Sequence, residues 1–162
     1  MSAYRVRVAT LDDLDALVHH RIAMFQDMGV PLDPVAVDAA FRPWLREMMP
    51  TGVYRAWVVE SGSRVIAGGG ITILPWPPGP RYFSGRLAFV YNVYTEPSHR
   101  RRGLARLVMD AIHQWCREAG VWSVALNASR DGEPLYASMG YECAPSPMMI
   151  FSVSGYNPGA QG

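Results

Sequence analysis

The apolar positions in the first third of the chain change from a two-residue period to a three-to-four-residue period. Residues 4–8 alternate apolar and arginine side chains, which predicts a half-buried strand. From Thr10, a suitable N-cap, apolar residues recur at helical spacing, so a first helix is predicted to about Met28. Asp33 precedes a proline at the start of a second periodic run, which predicts a second helix to about Met49.

Apolar, β-branched runs in the middle of the chain predict a sheet. Tyr54–Glu60 and Arg64–Leu74 are joined by Ser-Gly-Ser, a pattern typical of an antiparallel hairpin. Residues 75–85 are rich in proline and cannot hold a regular ladder, so they are predicted to form an exposed loop. Arg86–Thr95 is nearly continuously apolar, which indicates a central strand buried on both faces.

The last part of the chain predicts a crossover followed by closing elements. A helix is predicted from Leu104 until Gly120, then a strand over Val121–Leu126 and a short helix over Gly132–Met139. Tyr141–Val153 is predicted to form one or two closing strands, and residues 154–162 a flexible tail. The order of elements indicates a mixed α/β fold with an antiparallel first half.

Composition limits the number of domains and the classes of partner. A chain of 162 residues with 49% apolar residues fits one domain, which we expect over residues 1–162 with an ordered core at about 4–153. Because 15 basic residues face 14 acidic ones, no overall basic field exists, and nucleic acid is not an expected partner. No apolar run reaches the ~18 residues of a membrane span.

The two cysteines and the N-terminus bear on the expected cellular location. Cys116 and Cys143 provide neither a disulfide framework nor a zinc-ligand set, so no metal is expected. The N-terminus lacks the apolar core of a signal peptide. Together these features favour a cytoplasmic protein.

The stretch most informative about chemistry is Arg100–Ala105, Arg-Arg-Arg-Gly-Leu-Ala, where the apolar strand gives way to an amphipathic helix. The start of a helix exposes unpaired N–H groups and the positive end of the dipole, which suits phosphate oxygens. Glycine allows close approach, and arginines add charge and paired donors. The spacing is neither a Walker loop nor a dinucleotide fingerprint. The stretch therefore predicts a cradle for an anion such as a pyrophosphate.

Arg100–Ala105 resembles the Gln/Arg-x-x-Gly-x-Gly/Ala signature of the GNAT-family N-acetyltransferases. Leu135–Tyr141 is similar to that family's Leu-Tyr-x-x-x-Gly-Phe/Tyr segment, and Leu126–Ser129 looks like the end of its splayed strand. The resemblance spans Tyr4 to Val153, with its motifs in Val93–Tyr141.

The resemblance implies an α/β (α+β) GNAT acyl-CoA N-acyltransferase fold, with a mixed, mostly antiparallel sheet of about six to seven strands and about four helices. It implies an acetyl-CoA-dependent N-acetyltransferase. A primary amine of a small molecule or peptide would attack the thioester directly in a ternary complex. The residues that it assigns to the cosubstrate are Val93, Tyr94, Thr95, Arg100, Arg101, Arg102, Gly103, Leu104, Ala105, Arg106, Asn127, Ser129 and Tyr136.

The resemblance also implies catalytic roles. Tyr136 occupies the position of the general acid that protonates the departing thiolate; the alternative is a packing tyrosine. The family's mid-strand glutamate has no counterpart in Leu87–Val90. Glu96 is the candidate base, directly or through water, or else a solvated anion beside the arginines. His19 or His20 could also serve, although surface histidines are the simpler expectation.

Aromatic and sulfur-containing side chains are candidates for the acceptor site. The family uses its first two helices and the loop before the central strand as walls. Phe25, Met28, Trp76 and Tyr82, and also Trp44, would then suit an apolar or aromatic group beside the amine, although aromatic residues also serve as core.

Two other classes of function remain open from the sequence. One is a catalytically silent acyl-CoA-binding sensor, against which Tyr136 argues. The other is nucleic-acid binding through His99–Arg102 and Arg106, against which the balanced charge argues. A homodimer is reasonable but no residue pattern demonstrates one.

Overall fold

The structure, a computed structural model, describes residues 4–151 and 153. These residues fall into two compact units, one that ends at Ser129 and one that begins at Arg130. The single-domain organisation stays a prediction, and the predicted tail at 154–162 lies outside the described residues.

The first unit contains a five-stranded mixed sheet in which spatial order follows chain order. The strands are β1 (Arg5–Val8), β2 (Tyr54–Ser61), β3 (Arg64–Pro75), β4 (Arg86–Thr95) and β5 (Val124–Leu126). The first four are antiparallel, whereas β4 and β5 run parallel. The predicted mixed, mostly antiparallel α/β architecture is confirmed, with fewer strands in the described residues than expected.

Four α-helices are present in the described residues, as expected. They are α1 (Leu14–Asp27), α2 (Pro34–Thr51) and α3 (Leu104–Ala119) in the first unit and α4 (Glu133–Ser138) in the second. Thr10 caps a short 3₁₀ turn ahead of α1, and Asp33 caps α2 by accepting the Val35 N–H at 2.9 Å. No helix in the described part of the chain has the length and apolarity to cross a bilayer.

Three glycines in the middle of β3 bring helices close to both faces of the sheet. A Cβ at Gly68 would lie 3.3 Å from His20 of α1, whereas one at Gly69 would lie 2.9 Å from Val108 of α3. Successive residues of a strand point to opposite faces, so α1 and α3 cover opposite faces of the sheet. The strand β4 lies beside β3 in the sheet, and both α1 and α3 contact it.

The predicted closing strands over Tyr141–Val153 are wrong for the described residues. Residues 141–151 contain no strand, and Met148 to Phe151 are 64–90% exposed. Pro145 and Pro147 immediately precede this apolar run and lack the N–H that a ladder requires. The apolar composition that suggested strands is therefore carried by an exposed segment.

Beneath α1 and α2, the core is arranged around the ring of Tyr54. Tyr54 is 2% exposed, and its phenol fills the space above Gly70, where a Cβ would overlap it. Trp44, a candidate for the acceptor site, instead packs edge-on against Tyr54 with ring centroids 5.2 Å apart. Trp44 is thus partly buried and packs against the core.

Replacing Gly70 with alanine is expected to destabilise the protein by about 2 kcal/mol, because the added methyl overpacks the site of the Tyr54 ring. Gly79→Ala is the matched control, since a Cβ there meets nothing within 4 Å. Urea unfolding followed by tryptophan fluorescence measures both. Equal stabilities of the two variants would contradict this account of the core.

An ion-pair cluster holds β1 to the start of α1. Arg7 donates to both carboxylate oxygens of Asp13 at 2.8 and 2.9 Å and to Glu60 at 2.8 Å. Asp13 is 7% exposed and also accepts the Thr10 N–H at 2.8 Å. The hydrogen bonds from Arg7 lower the pKa of Asp13 below its ordinary value of 3.8.

A lowered folded-state pKa stabilises the protein fully above the unfolded value and less as the pH falls through the folded value. Asp13→Asn is therefore expected to reduce the free energy of unfolding by about 2 kcal/mol at neutral pH. The difference from the wild type should shrink below pH 3.8. Urea titrations across that range test the sign, and a difference that grew in acid would contradict it.

Candidate active site

One edge of β4 is open along its second half. The pairing of β4 with β5 covers only Ala88–Val90 against Val124–Leu126. Beyond Val90, no described strand pairs with this edge, so backbone groups of residues 91–95 face a gap rather than a ladder. Val93, Tyr94 and Thr95, predicted to contact a cosubstrate, lie along it.

A β-bulge interrupts β4 at the beginning of this open edge. Gly70 pairs with Tyr91 and Gly68 with Tyr94, so Asn92 and Val93 together oppose one residue of β3. Asn92 has φ 59°, in the left-handed region that non-glycine residues rarely adopt. A bulge leaves backbone groups outside the ladder and is common next to active sites.

Side chains from two other elements hold the bulge in place. Asn92 is 8% exposed; its Oδ1 accepts from Arg21 Nη1 at 2.6 Å, and its Nδ2 donates to the Tyr54 hydroxyl at 2.9 Å. Burial raises the pKa of Tyr54 to about 12, so the hydroxyl remains protonated.

Sequence reasoning missed both Asn92 and Arg21. Each carried a signal, however. Asn92 is a polar residue within an apolar strand, and Arg21 lies at a helical spacing from Leu14, Leu17 and Val18 on the apolar face of its helix.

The start of α3 has the geometry of an anion site. Gly103, at φ 77°, caps the helix, and the first bond into the helix runs from the Leu107 N–H to the Gly103 carbonyl at 3.0 Å. The N–H groups of Leu104 and Ala105 therefore precede the helical ladder. A Cβ at Gly103 would meet nothing within 4 Å, which leaves the approach open. Arg101 is also left-handed, at φ 60°.

The predicted arginines differ in their partners. Arg100 donates to the Thr95 carbonyl at 2.9 Å and pairs with Asp27 at the end of α1. Arg102 donates to the Tyr4 hydroxyl at 2.8 Å. Arg101 is exposed, and no hydrogen bond or ion pair engages its guanidinium within the described residues. Arg106 is exposed in the first turns of α3.

Glu96 lies beside two histidines rather than among the arginines. Its Oε1 is 2.7 Å from Nε2 of exposed His19 and 3.9 Å from Nε2 of His20. His20 is 2% exposed, so the expectation of a surface histidine is wrong for it. Burial lowers the pKa of His20 to about 4, which keeps the ring neutral, and neither of its nitrogens has a hydrogen-bond partner in the described chain.

Tyr94 completes this cluster on the α1 side of β4. Its ring lies 5.1 Å from that of His20, and burial raises its pKa. The Cζ of Arg100 also lies over the Tyr94 ring, 5.5 Å from its centroid. The cluster therefore joins the end of β4 to α1.

The acceptor candidates are only partly brought together. Phe25 lies beside Arg21, whose Cζ is 4.9 Å from its ring centroid, and Met28 is 51% exposed at the end of the same helix. Trp76 and Tyr82 pack on each other in the proline-rich loop with centroids 6.0 Å apart. In the described contacts, nothing joins that pair to Phe25.

The remaining predicted residues follow β5. Asn127 is exposed just past the strand, and Ser129 is half-buried at the end of the first unit. Tyr136 belongs to α4 of the second unit, where burial raises its pKa and its ring lies 5.8 Å from that of Tyr141. A raised pKa keeps the phenol protonated at neutral pH, as a proton donor requires.

Two of three comparisons with known proteins find similar chains. The sequence model of the Acetyltransferase (GNAT) family matches residues 16–141. A GCN5-related N-acetyltransferase from Ralstonia eutropha JMP134 is 33% identical over 94% of this chain and 100% of that chain, with a TM-score of 0.83. A search of curated proteins gave no match.

Two more distant structures share the fold. A predicted acetyltransferase from Clostridium acetobutylicum, solved with acetyl-CoA, is 23% identical over 92% of this chain and 96% of that chain, at a TM-score of 0.85. An aminoglycoside N-acetyltransferase in complex with CoA is 17% identical over 96% and 97% of the two chains, at a TM-score of 0.74.

The family match covers most of the chain and includes the open edge of β4, its bulge and the start of α3. The family match and the relative that is 33% identical confirm the family that the motif at Arg100–Ala105 predicted. The chain belongs to the Acetyltransferase (GNAT) family.

Proposed function

We propose that this protein is an acetyl-CoA-dependent N-acetyltransferase that acetylates a primary amine of a small molecule or peptide within a ternary complex. The observation that carries the proposal is the succession along the chain of the bulge at Asn92, the unpaired edge of β4 and the open helix start at Gly103. Family membership supports acetyl transfer in general, and this succession supports this donor in particular.

The described residues of this succession fit the donor. The N–H groups of Leu104 and Ala105 and the guanidinium of Arg101 would hold the diphosphate. The open edge at residues 93–95 would hydrogen-bond the pantetheine amides, as in addition of a strand to a sheet. The remaining candidates for donor contacts are Arg100, Arg102, Gly103, Arg106, Asn127 and Ser129.

The donor supplies a thioester, an electrophile that an unprotonated amine can attack. Backbone N–H groups freed by the bulge at Asn92 and Val93 would stabilise the negative charge that develops on the carbonyl oxygen. Donors of this kind contribute about 3 kcal/mol each in acyl transfer. A rigidly held bulge would therefore perform much of the catalysis.

Proton transfer completes the reaction. Glu96, coupled to His19, would take the proton from the attacking amine directly or through water. Neutral His20 beside them offers a second nitrogen for such a water. Tyr136 would protonate the sulfur as the carbon–sulfur bond breaks, a role that rests on the resemblance of Leu135–Tyr141 to the family segment.

A cytoplasmic location and a homodimer stay predictions from the sequence.

Arg101→Ala is expected to raise the Kd for CoA about tenfold, because one charge-assisted contact to the diphosphate is lost. Arg46→Ala, which removes an exposed arginine of α2, is the matched control and should leave the Kd unchanged. Isothermal calorimetry with CoA and with pantetheine, which lacks the diphosphate, measures the effect. Failure of the wild type to bind CoA would overturn the proposal itself.

Tyr136→Phe is expected to lower kcat about 100-fold without changing the Kd for CoA, because only the proton donor is removed. Tyr141→Phe is the control, since the family segment accepts either ring at that position. Thiol release from acetyl-CoA with a panel of amines gives the rates. A wild type that binds acetyl-CoA and releases no thiol with any amine would instead be the silent sensor.

A further inference from the structure

Arg21 is a half-buried arginine that no carboxylate neutralises within the described residues. Half-buried Arg7 and Arg42 each pair with at least one aspartate or glutamate, whereas Arg55, which also lacks a carboxylate, lies over the ring of Trp115. Among the described residues, Arg21 has instead a single hydrogen bond, to a neutral amide oxygen, 2.6 Å away on Asn92. Most of its hydrogen-bonding capacity is unused.

The free part of the guanidinium is accessible and framed by aromatic rings. In the described chain, the side-chain polar atoms that are both buried and without a hydrogen-bond partner belong to His20 and Arg55. The unpartnered nitrogens of Arg21 are not among them, so they are accessible to solvent. Its Cζ lies 4.9 Å from the centroids of both Phe25 and Phe41, so two aromatic rings contact the cation. Burial lowers its pKa, although a guanidinium stays charged at neutral pH.

A half-buried cation without a counter-charge is costly unless a ligand supplies one. A guanidinium fork held in place by rings matches the two oxygens of a carboxylate. The rings exclude water from such a pair and strengthen it. Besides its hydrogen bond to Asn92, the guanidinium therefore has donors available for an anion.

The location of Arg21 indicates which substrate would bring this anion. Arg21 is on α1, on the opposite face of the sheet from α3, whose start would hold the donor's diphosphate. It touches the bulge at Asn92, where the thioester would lie. An anion on Arg21 therefore belongs to the acceptor, and it lies close to the amine that attacks.

We propose that Arg21 binds the carboxylate of the acceptor and that the acceptor is a free amino acid, an inference that rests on the proposed N-acetyltransferase function. In a free amino acid the amine and the carboxylate are separated by one carbon, which fits a carboxylate site adjoining the bulge. An apolar side chain of the amino acid would contact the rings of Phe25 and Tyr91. The ring of Tyr91 lies 4.9 Å from that of Phe89.

The test compares each of the twenty standard L-amino acids with its carboxamide as acceptor, using thiol release from acetyl-CoA. The amide removes the negative charge and keeps the side chain. Its amine is less basic, so a larger fraction is unprotonated, which works against the expected preference. We expect at least one amino acid to exceed its amide about 100-fold in kcat/KM, the effect of a charge-assisted bidentate pair.

Arg21→Gln should abolish that preference by raising KM for the amino acid to that for its amide. An effect of the substitution on the bulge at Asn92 would act on acids and amides alike, so the ratio of the two reports the contact with the carboxylate. Arg46→Gln, which removes an exposed arginine of α2, is the matched control and should retain the preference. Because the acid–amide comparison uses the wild type, the test does not depend on how Arg21→Gln folds. Calorimetry with CoA accompanies each protein.

Equal use of acids and amides, a preference that survives Arg21→Gln, or turnover of amines but of no amino acid would overturn the inference about Arg21. Each of these results leaves the proposed function standing when CoA binds. Loss of CoA binding in the wild type would instead remove the proposed function on which the inference rests.

Discussion

The bulge of β4 depends on one buried side chain, the amide of Asn92, which ties the sheet to α1. Its oxygen accepts from Arg21 and its nitrogen donates to Tyr54. A left-handed φ in a non-glycine residue costs free energy and persists only where the surroundings impose it. The two hydrogen bonds supply that constraint, and the unpaired backbone of the proposed reaction site follows from it.

The glycines of β3 make this arrangement sterically feasible. Gly70 leaves room for the Tyr54 ring that supports Asn92, whereas Gly68 and Gly69 let α1 and α3 approach opposite faces. Bulkier residues at these positions would push the helices away from β4. The absence of side chains at these glycines thus determines how closely α1 and α3 approach the sheet, and hence the distance between the proposed acceptor and donor sites.

Much of the fold could be predicted from the sequence because local periodicity agrees with the tertiary structure. β4 was predicted with the observed bounds, and the helix at Leu104 was read correctly from its apolar spacing and following glycine. The prediction of closing strands was wrong because it followed the apolar composition of Met148–Phe151. It took no account of the two prolines before that run, which lack the N–H groups that a ladder needs.

The anion cradle was predictable as a motif, but its details were not. Which arginines pair internally depends on Asp27 and Tyr4, which are distant in sequence. The Asn92 bulge likewise arises from contacts with Arg21 and Tyr54, which no local pattern encodes. Glu96 was identified as a candidate, yet its proximity to His19 appears only once α1 packs on β4.

Arg100 connects regions that would otherwise respond separately. Its guanidinium links the last carbonyl of β4, at Thr95, to the carboxylate of Asp27 at the end of α1. The same side chain thus contacts both the end of β4 and the helix that carries Arg21. Because binding free energies are reciprocal, any coupling through this arginine would change the affinities at its two ends by the same factor.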